Sequence, residues 1–533
     1  MSAGSHTFTS VAAGLADGLH GAGVRRLFGM PGGGPNLEMI GAAAERGIGF
    51  TLAHGETAAC VMAGAFGLLT GTPGTALVTR GPGLTSAVNG LAQAFLDRSP
   101  LLLLSDCVPA VQRDRIAHQR LDQLAVAAPV TRWNGTLGHR DPAATVAAAA
   151  ALAAGPPAGA VHLDYDASVP GDLPPAVVPP AAPDAAALER AIAVAGGRRR
   201  PVVVLGVDAV AHAPALREVL TGGGVPVLTT YQAAGVVDSG SPESAGLFTN
   251  AALERPLLDR ADLIVGVGLD PVEPLPAPWS YDAPTLLLTP AEVDPAYFGS
   301  PTVVDGPPAP ALAAVLGACI PDWPAGAGQR HRRARLADLA ADARDGAGLH
   351  PIDLVRAVHE IAGHAQLTVD AGAHMLAAMP FWPATRPHGI LISNGLATMG
   401  YALPAAIGAA LARRGERVVC LVGDGGLGMS LAELETLARI ALPVTVVVFD
   451  DAALSLIELK QRAGQGGADA VRFDPVDFAG VAAAMGVPSA VADDVAGVRA
   501  ALSAPSAAGP GPFLLDARIG PAGYRHIIDV SRG

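Results

Sequence analysis

Between positions 423 and 451 the chain sets glycines and acids in a pattern that can hold a phosphate. Gly423-Asp424-Gly425-Gly426-Leu427-Gly428 follows a continuous apolar run at 418–422, and Asp450-Asp451 closes a second apolar run at 444–449. Runs of that length fit strands buried on both faces. Between them Leu431, Leu434, Leu437 and Ala438 recur at helical spacing. Ser430 is the expected cap of that helix, and Glu433 would complete a capping box. Leu442-Pro443 ends it. Two ligands are open to such a strand-helix-strand unit. A dinucleotide uses G-x-G-x-x-G and an acid at the second strand end for a ribose hydroxyl. A diphosphate held through magnesium uses Asp424 and Asp451 as hard oxygen ligands. Asp424 favours the second, because a carboxylate inside a turn that cradles a pyrophosphate repels it unless a cation lies between them.

The elements that must position this unit are spread over 533 residues, too many for one core. The expected fold class is α/β: three consecutive open, mostly parallel-sheet domains. Residues 1–170 alternate helix and strand, with strands at 26–28, 49–52, 75–79, 101–104 and 160–163 and a helix starting at Glu56. A proline-paired stretch at 171–185 reads as an extended linker. A middle α/β domain at 186–325 opens with a strand at 201–206. A second linker is expected at 326–350, where the basic cluster 330–335 reads as a solvated face. The third domain, 351–533, holds the glycine and acid motif.

Composition narrows the function classes. Half the residues are apolar, yet no uninterrupted run of about 18 apolar residues is present, so a membrane span is not expected. The N-terminus lacks a basic region followed by an apolar core, so no secretory signal is read. Cys60, Cys107, Cys319 and Cys420 lie far apart without metal spacing, as for reduced core thiols of a cytoplasmic protein. A net charge of −13 argues against nucleic acid as a partner.

Four separated motifs, in order, resemble the thiamine diphosphate-dependent enzymes of the acetolactate synthase and benzoylformate decarboxylase group. They are His54-Gly55-Glu56-Thr57-Ala58-Ala59, the Arg80-Gly81-Pro82-Gly83 turn, the stretch from Ser393 to Gly408, and the glycine and acid unit itself. The resemblance implies pyrimidine-binding, middle and diphosphate-binding domains, with thiamine diphosphate and Mg2+ as cofactors. It implies cleavage of a small-molecule 2-oxo acid by decarboxylation, with release or carboligation of the acyl carbanion, because the thiazolium is the electron sink that such a carbanion needs.

Residue by residue, Glu56 would be the catalytic glutamate on the aminopyrimidine ring, although an acid there also suits a helix dipole. Met399 would bend the cofactor, and the Ala397 carbonyl would accept its amino proton. Gly423, Gly425 and Gly426 would leave room for phosphate; Asp424, Asp451 and the Ala453 carbonyl would hold the cation. Glutamate and glycine motif lie in different domains, so a homodimer or homotetramer with the site between chains is implied.

Arg80, Gln119, His374 and Phe381 are the substrate candidates. Departures from the family pattern bear on the specific function. Asp451 stands where members usually carry asparagine, Gly55 replaces a frequent histidine, and the segment 454–461 lacks the tryptophan of acetolactate synthases. The middle domain reads Gly268-Leu269-Asp270-Pro271-Val272 in place of the flavin-binding run, so FAD is not expected. The alternatives carried with this reading are an acyl-transferring synthase with a specialised donor, a dinucleotide-dependent oxidoreductase, and a non-catalytic homologue.

Overall fold

The computed structural model describes residues 2–177, 182, 184–291, 293–341, 348–461, 465, 467–520 and 522–532. Its three six-stranded sheets are all parallel. The first runs, edge to edge, Gly49–Leu52, Arg26–Met30, Gly74–Val78, Leu101–Asp106, Ala160–Tyr165, Trp133–Leu137. The third repeats that order of connection with Ile390–Ile392, Gln366–Val369, Val418–Gly423, Val444–Asp450, Phe513–Arg518, Ser489–Ala492. The middle sheet differs: Thr302–Asp305, Thr285–Thr289, Leu263–Val267, Pro201–Leu205, Val227–Thr229, Ser244–Leu247, the doubly wound order with its reversal between Pro201–Leu205 and Leu263–Val267.

The continuous apolar runs have a direct cause. In Val418–Gly423, Val418, Cys420 and Val422 enter one core while Val419 and Leu421 enter another, so neither face of the strand meets water. The first of these cores joins the outer two units. Helix Glu56–Thr70 lies on helix Ala402–Ala412 so closely that a Cβ on Gly408 would come 2.2 Å from the Met62 carbonyl oxygen. Alanines along both helices permit that approach, and the contact fixes the start of the first helix, Glu56, relative to the loop that precedes the second. The four cysteines are buried and free.

Two expectations change. The helix after Val418–Gly423 starts at once, as Asp424–Ser430, and a second helix runs Glu433–Arg439. Ser430 therefore ends a helix and bonds back to the Gly426 carbonyl, while Glu433 accepts from the His54 N–H at 2.9 Å and from Thr436 at 2.8 Å; there is no capping box. In the stretch read as a linker, helix Ala327–Leu339 packs on strand Ser244–Leu247. Its buried contacts, Gly328 and Leu339, are too few among charged residues to give a helical apolar pattern. Of the 171–185 stretch, residues 178–181 and 183 lie outside the described residues, as do 342–347 of the second. Among the described residues no helix is long and apolar enough to cross a membrane.

Candidate active site

An open parallel sheet has a ligand crevice where neighbouring strands lead off to opposite sides of the sheet. In the third sheet that point lies between Gln366–Val369 and Val418–Gly423, and a cavity of about 420 Å³ opens there. Its floor is Ala371–His374 and Gly423–Gly426; its walls include Asp451, Ala453, Ala397 and Met399, with Phe248 and Leu275 from the middle unit opposite.

Asp424 and Asp451 face each other across this floor. Burial and then the neighbouring Asp451 charge push the Asp424 carboxyl up to about 7. Burial pushes Asp451 up to about 6, partly offset by a hydrogen bond from Ser455. Asp424 accepts from its own neighbour Gly425 N–H at 2.6 Å and from Ala453 N–H at 3.3 Å. Two partly buried acids that repel each other are a site that a divalent cation would relieve. Among the described residues no cluster of three or more His, Cys, Asp or Glu could hold a metal, so the protein ligands that a cation here could draw on are the two carboxylates, with Ala453 on the same wall. That small hard set suits magnesium, which keeps phosphate and water oxygens as its remaining ligands. Asp450, the other acid of the pair, is buried and ion-paired with Arg518 at 2.6 Å. It is not free to hold a ribose, which removes the footing of the dinucleotide alternative.

Two acids that the sequence reading missed set the Ala397 and Met399 loop. Asp370, fully buried, accepts from Ala371, Gly400 and Tyr401 N–H groups at 2.8, 3.0 and 3.4 Å, and burial pushes it up to about 7. A Cβ on Gly426 would lie 2.5 Å from its Oδ2, which is why that position is glycine. Asp97, from the first unit, accepts from the Ser393 hydroxyl at 2.7 Å and from the N–H groups of Asn394 and Gly395. Held at both ends, the loop carries Ala397 at φ 52°, a left-handed conformation that turns Met399 into the cavity. The available signal was an acid at a strand or helix end, Asp370 after Gln366–Val369 and Asp97 after helix Pro82–Leu96.

His374 lines the cavity and is buried; a Cβ on Gly423 would sit 3.3 Å from its Nδ1, its Nε2 has no partner, and burial pushes the imidazole down to about 4. It is a neutral ring beside the glycine floor.

The other candidates lie elsewhere in this chain. Phe381 is packed under Arg356, whose guanidinium lies 4.7 Å from the ring centre, and it does not line the cavity. Arg80 is engaged by Asp106 at 2.8 Å, and Gln119 is an exposed residue against Gly81. Glu56 stands half-buried at the start of its helix and lines neither this cavity nor a second one of about 540 Å³ formed by His54, Gly55, Thr57, Asn89, Gly400 and Glu433. Met399 is a wall of both. The segment before Glu56 is pinned by His54 Nε2 to Glu435 at 2.7 Å and by Arg439 to the Leu52 carbonyl at 2.7 Å.

Residues 9–126 match the family described as thiamine pyrophosphate enzyme, N-terminal TPP binding domain, and residues 370–517 match thiamine pyrophosphate enzyme, C-terminal TPP binding domain. Among curated proteins, the catabolic acetolactate synthase of Raoultella terrigena is 32% identical over 495 residues, 88% of this chain and 88% of that protein. The acetolactate synthase of Bacillus subtilis (strain 168) is 29% identical over 503 residues, 89% of this chain and 86% of that protein. The acetolactate synthase large subunit of Parasynechococcus marenigrum (strain WH8102) is 30% identical over 482 residues, 83% of this chain and 76% of that protein.

Proposed function

The chain belongs to the thiamine pyrophosphate enzymes, and from that premise we propose that it decarboxylates a 2-oxo acid with thiamine diphosphate and magnesium and passes the acyl group to an acceptor, as an acetolactate synthase-like carboligase. The observation that carries this reading is the single cavity in which the glycine floor, the facing acids and the clamped Ala397 and Met399 loop converge.

When bound, the cofactor supplies the electron sink for loss of carbon dioxide. Asp424, Asp451 and the Ala453 carbonyl would hold the magnesium ion, Gly423 and Gly425 would leave room for the diphosphate, and Gly426 would let the backbone of the floor sit against Asp370 beneath it. The Ala397 carbonyl would accept a proton of the cofactor's amino group, and Met399 would support its rings. Glu56 would hold and return a proton at the aminopyrimidine nitrogen. Since Glu56 lines no wall of the cavity in its own chain, we propose that the glutamate comes from a second copy, making the working unit a homodimer or larger.

The middle crevice supports a flavin-free reading. A cavity of about 360 Å³ there is lined by Asp208, Asp270 and Asp294 against the single Arg98, which is already paired with Asp270 at 2.5 Å. That balance repels a dinucleotide's phosphates.

The test is carbon dioxide release from a panel of 2-oxo acids, small aliphatic to aryl, with thiamine diphosphate and magnesium each added or withheld. Release that needs both and is lost in Glu56→Gln is expected. No release from any acid, despite calorimetrically measured cofactor binding, overturns the decarboxylase reading.

A further inference from the structure

The cavity has a second pole, of opposite sign to the acid pair. Helix Gly523–Arg532 closes one side of it, docked on the middle unit through Ala252 N–H to the Ser531 carbonyl at 3.3 Å. Tyr524, near the start of that helix, lies close to Asp424 and Asp451, and its phenol is pushed up by burial and then by both charges. Roughly two turns further on, about 12 Å along the axis at 1.5 Å per residue, the same helix ends in Ser531 and Arg532. Lys460, at the end of helix Ser455–Lys460, lines the cavity with them, as does Tyr231.

This pole has no counter-charge. Among the described residues Lys460 and Arg532 make no ion pair; the Arg532 Nε and the Ser531 hydroxyl are buried without a partner, and Ser531 is 6% exposed. The two cations feel each other, since burial and then Arg532 lower the Lys460 ammonium. The nearby acids are committed elsewhere. Glu254 is fully buried and accepts from the Ala251 and Thr249 N–H groups, the Thr249 hydroxyl and the Tyr281 hydroxyl. Glu458 is paired with Arg472 at 2.6 Å. The exposed Lys460 ammonium, the half-buried Arg532 guanidinium and the unpartnered Ser531 hydroxyl line one cavity and together offer an anion three donors. Between the two poles the wall is apolar, with Phe248, Leu275, Leu456 and Ile457.

We propose that the 2-oxo acid taken by this site carries a second anionic group, a carboxylate or a phosphonate, at the far end of its acyl chain, bound by Lys460, Arg532 and Ser531. The inference rests on the thiamine pyrophosphate reading above and names the substrate class for it. The apolar stretch between the poles holds the methylene spacer of such an acid.

The experiment uses the enzyme loaded with thiamine diphosphate and magnesium and compares 2-oxopentanoate, 2-oxoglutarate and 2-oxo-4-phosphonobutanoate by kcat/KM for carbon dioxide release. Affinity of the apo protein for thiamine diphosphate is measured alongside by calorimetry. The tailed acids are expected to be preferred over 2-oxopentanoate by about tenfold or more. Lys460→Met and Arg532→Met should each bring that ratio towards one while thiamine diphosphate still binds, which also shows that the variants fold. The better of the two tails identifies the anion. A wild-type ratio at or below one overturns the proposal, as does a ratio that neither substitution changes. Loss of cofactor affinity in both variants with the ratio intact gives the pole to the diphosphate and overturns it too. Turnover of 2-oxopentanoate without any advantage of a tail sinks this inference alone. A protein that binds cofactor but releases carbon dioxide from none of the acids tested here or in the wider panel sinks the decarboxylase reading with it.

Discussion

The middle and C-terminal units both place carboxylates at the point where their strand order reverses, and they dispose of them in opposite ways. In the middle unit Glu273 turns back into the crevice and accepts the Val207 N–H at 2.9 Å, the Asp270 N–H at 3.3 Å and the Thr230 hydroxyl. The Val207 N–H, in the turn after Pro201–Leu205 where a phosphate would sit, is thus taken by the protein's own acid. In the C-terminal unit Asp424 accepts the Gly425 and Ala453 N–H groups at 2.6 and 3.3 Å but still faces Asp451 over a glycine floor, and a cation brought from outside would relieve the repulsion between them. The same topological rule therefore yields one crevice whose loop acid is satisfied by backbone and hydroxyl donors and one whose facing acids a ligand would relieve.

The sharpest break of that contrast is Asp424→Ala. It should cost about a hundredfold or more in magnesium-dependent affinity for thiamine diphosphate, whereas Asp208→Ala in the middle crevice should change it less than about twofold. Calorimetry with and without magnesium reads both; equal losses would mean that the two crevices are not distinguished by their acids.

A smaller effect is expected from the floor glycines. Gly426→Ala drives a methyl group into Asp370 and should destabilise the fold by about 1–3 kcal/mol, read as a lower denaturant midpoint. Gly428→Ala, in the same short helix with nothing within 4 Å of its Cβ, should be neutral or stabilise by up to about 1 kcal/mol. If both variants behave alike, the close approach to Asp370 is not what restricts the floor.

The smallest effect is a pH dependence from the middle crevice. Burial pushes Glu273 up to about 8, above its ordinary value near 4.5. An acid that ionises later in the folded than in the unfolded chain stabilises the fold at low pH, and that contribution is lost as pH rises towards and through the folded value. The buried His331, His374 and His388, lowered to about 4 from an ordinary 6.5, oppose this trend near pH 7 by the fraction still protonated in the unfolded chain, and that opposition fades by pH 8. The stability of the apo protein should therefore fall between pH 7 and 8, and Glu273→Gln should flatten part of the fall. A wild-type slope unchanged in the variant would assign the titration to other raised acids, first among them Asp370 and Asp424, which are pushed up to about 7.

How far the sequence could be read depended on how local each cause was. Three α/β sheets, the strand tips at Asp424 and Asp450-Asp451, and the glycine floor are all legible, because a strand buried on both faces must be a continuous apolar run and a backbone that lets a ligand approach must lack side chains. The capping box at Ser430 was misread because the spacing of Ser430 and Glu433 was right while the partner of Glu433 is His54, remote in sequence.

The sequence by itself therefore determined the elements, their parallel arrangement and the family to which their motifs belong, since each follows from short-range periodicity and spacing. Only the tertiary structure decided which acids are free to act. Asp450 is consumed by Arg518, Glu273, which lines the cavity of Asp424 and Asp451, by the Val207 N–H and the Thr230 hydroxyl, and Asp97 and Asp370 by the Met399 loop, while among the described residues Asp424, Asp451, Lys460 and Arg532 make no ion pair in that cavity. A charge's partner is chosen by distance in space, and a buried charge without one is costly, so that sorting is settled only once the chain has folded.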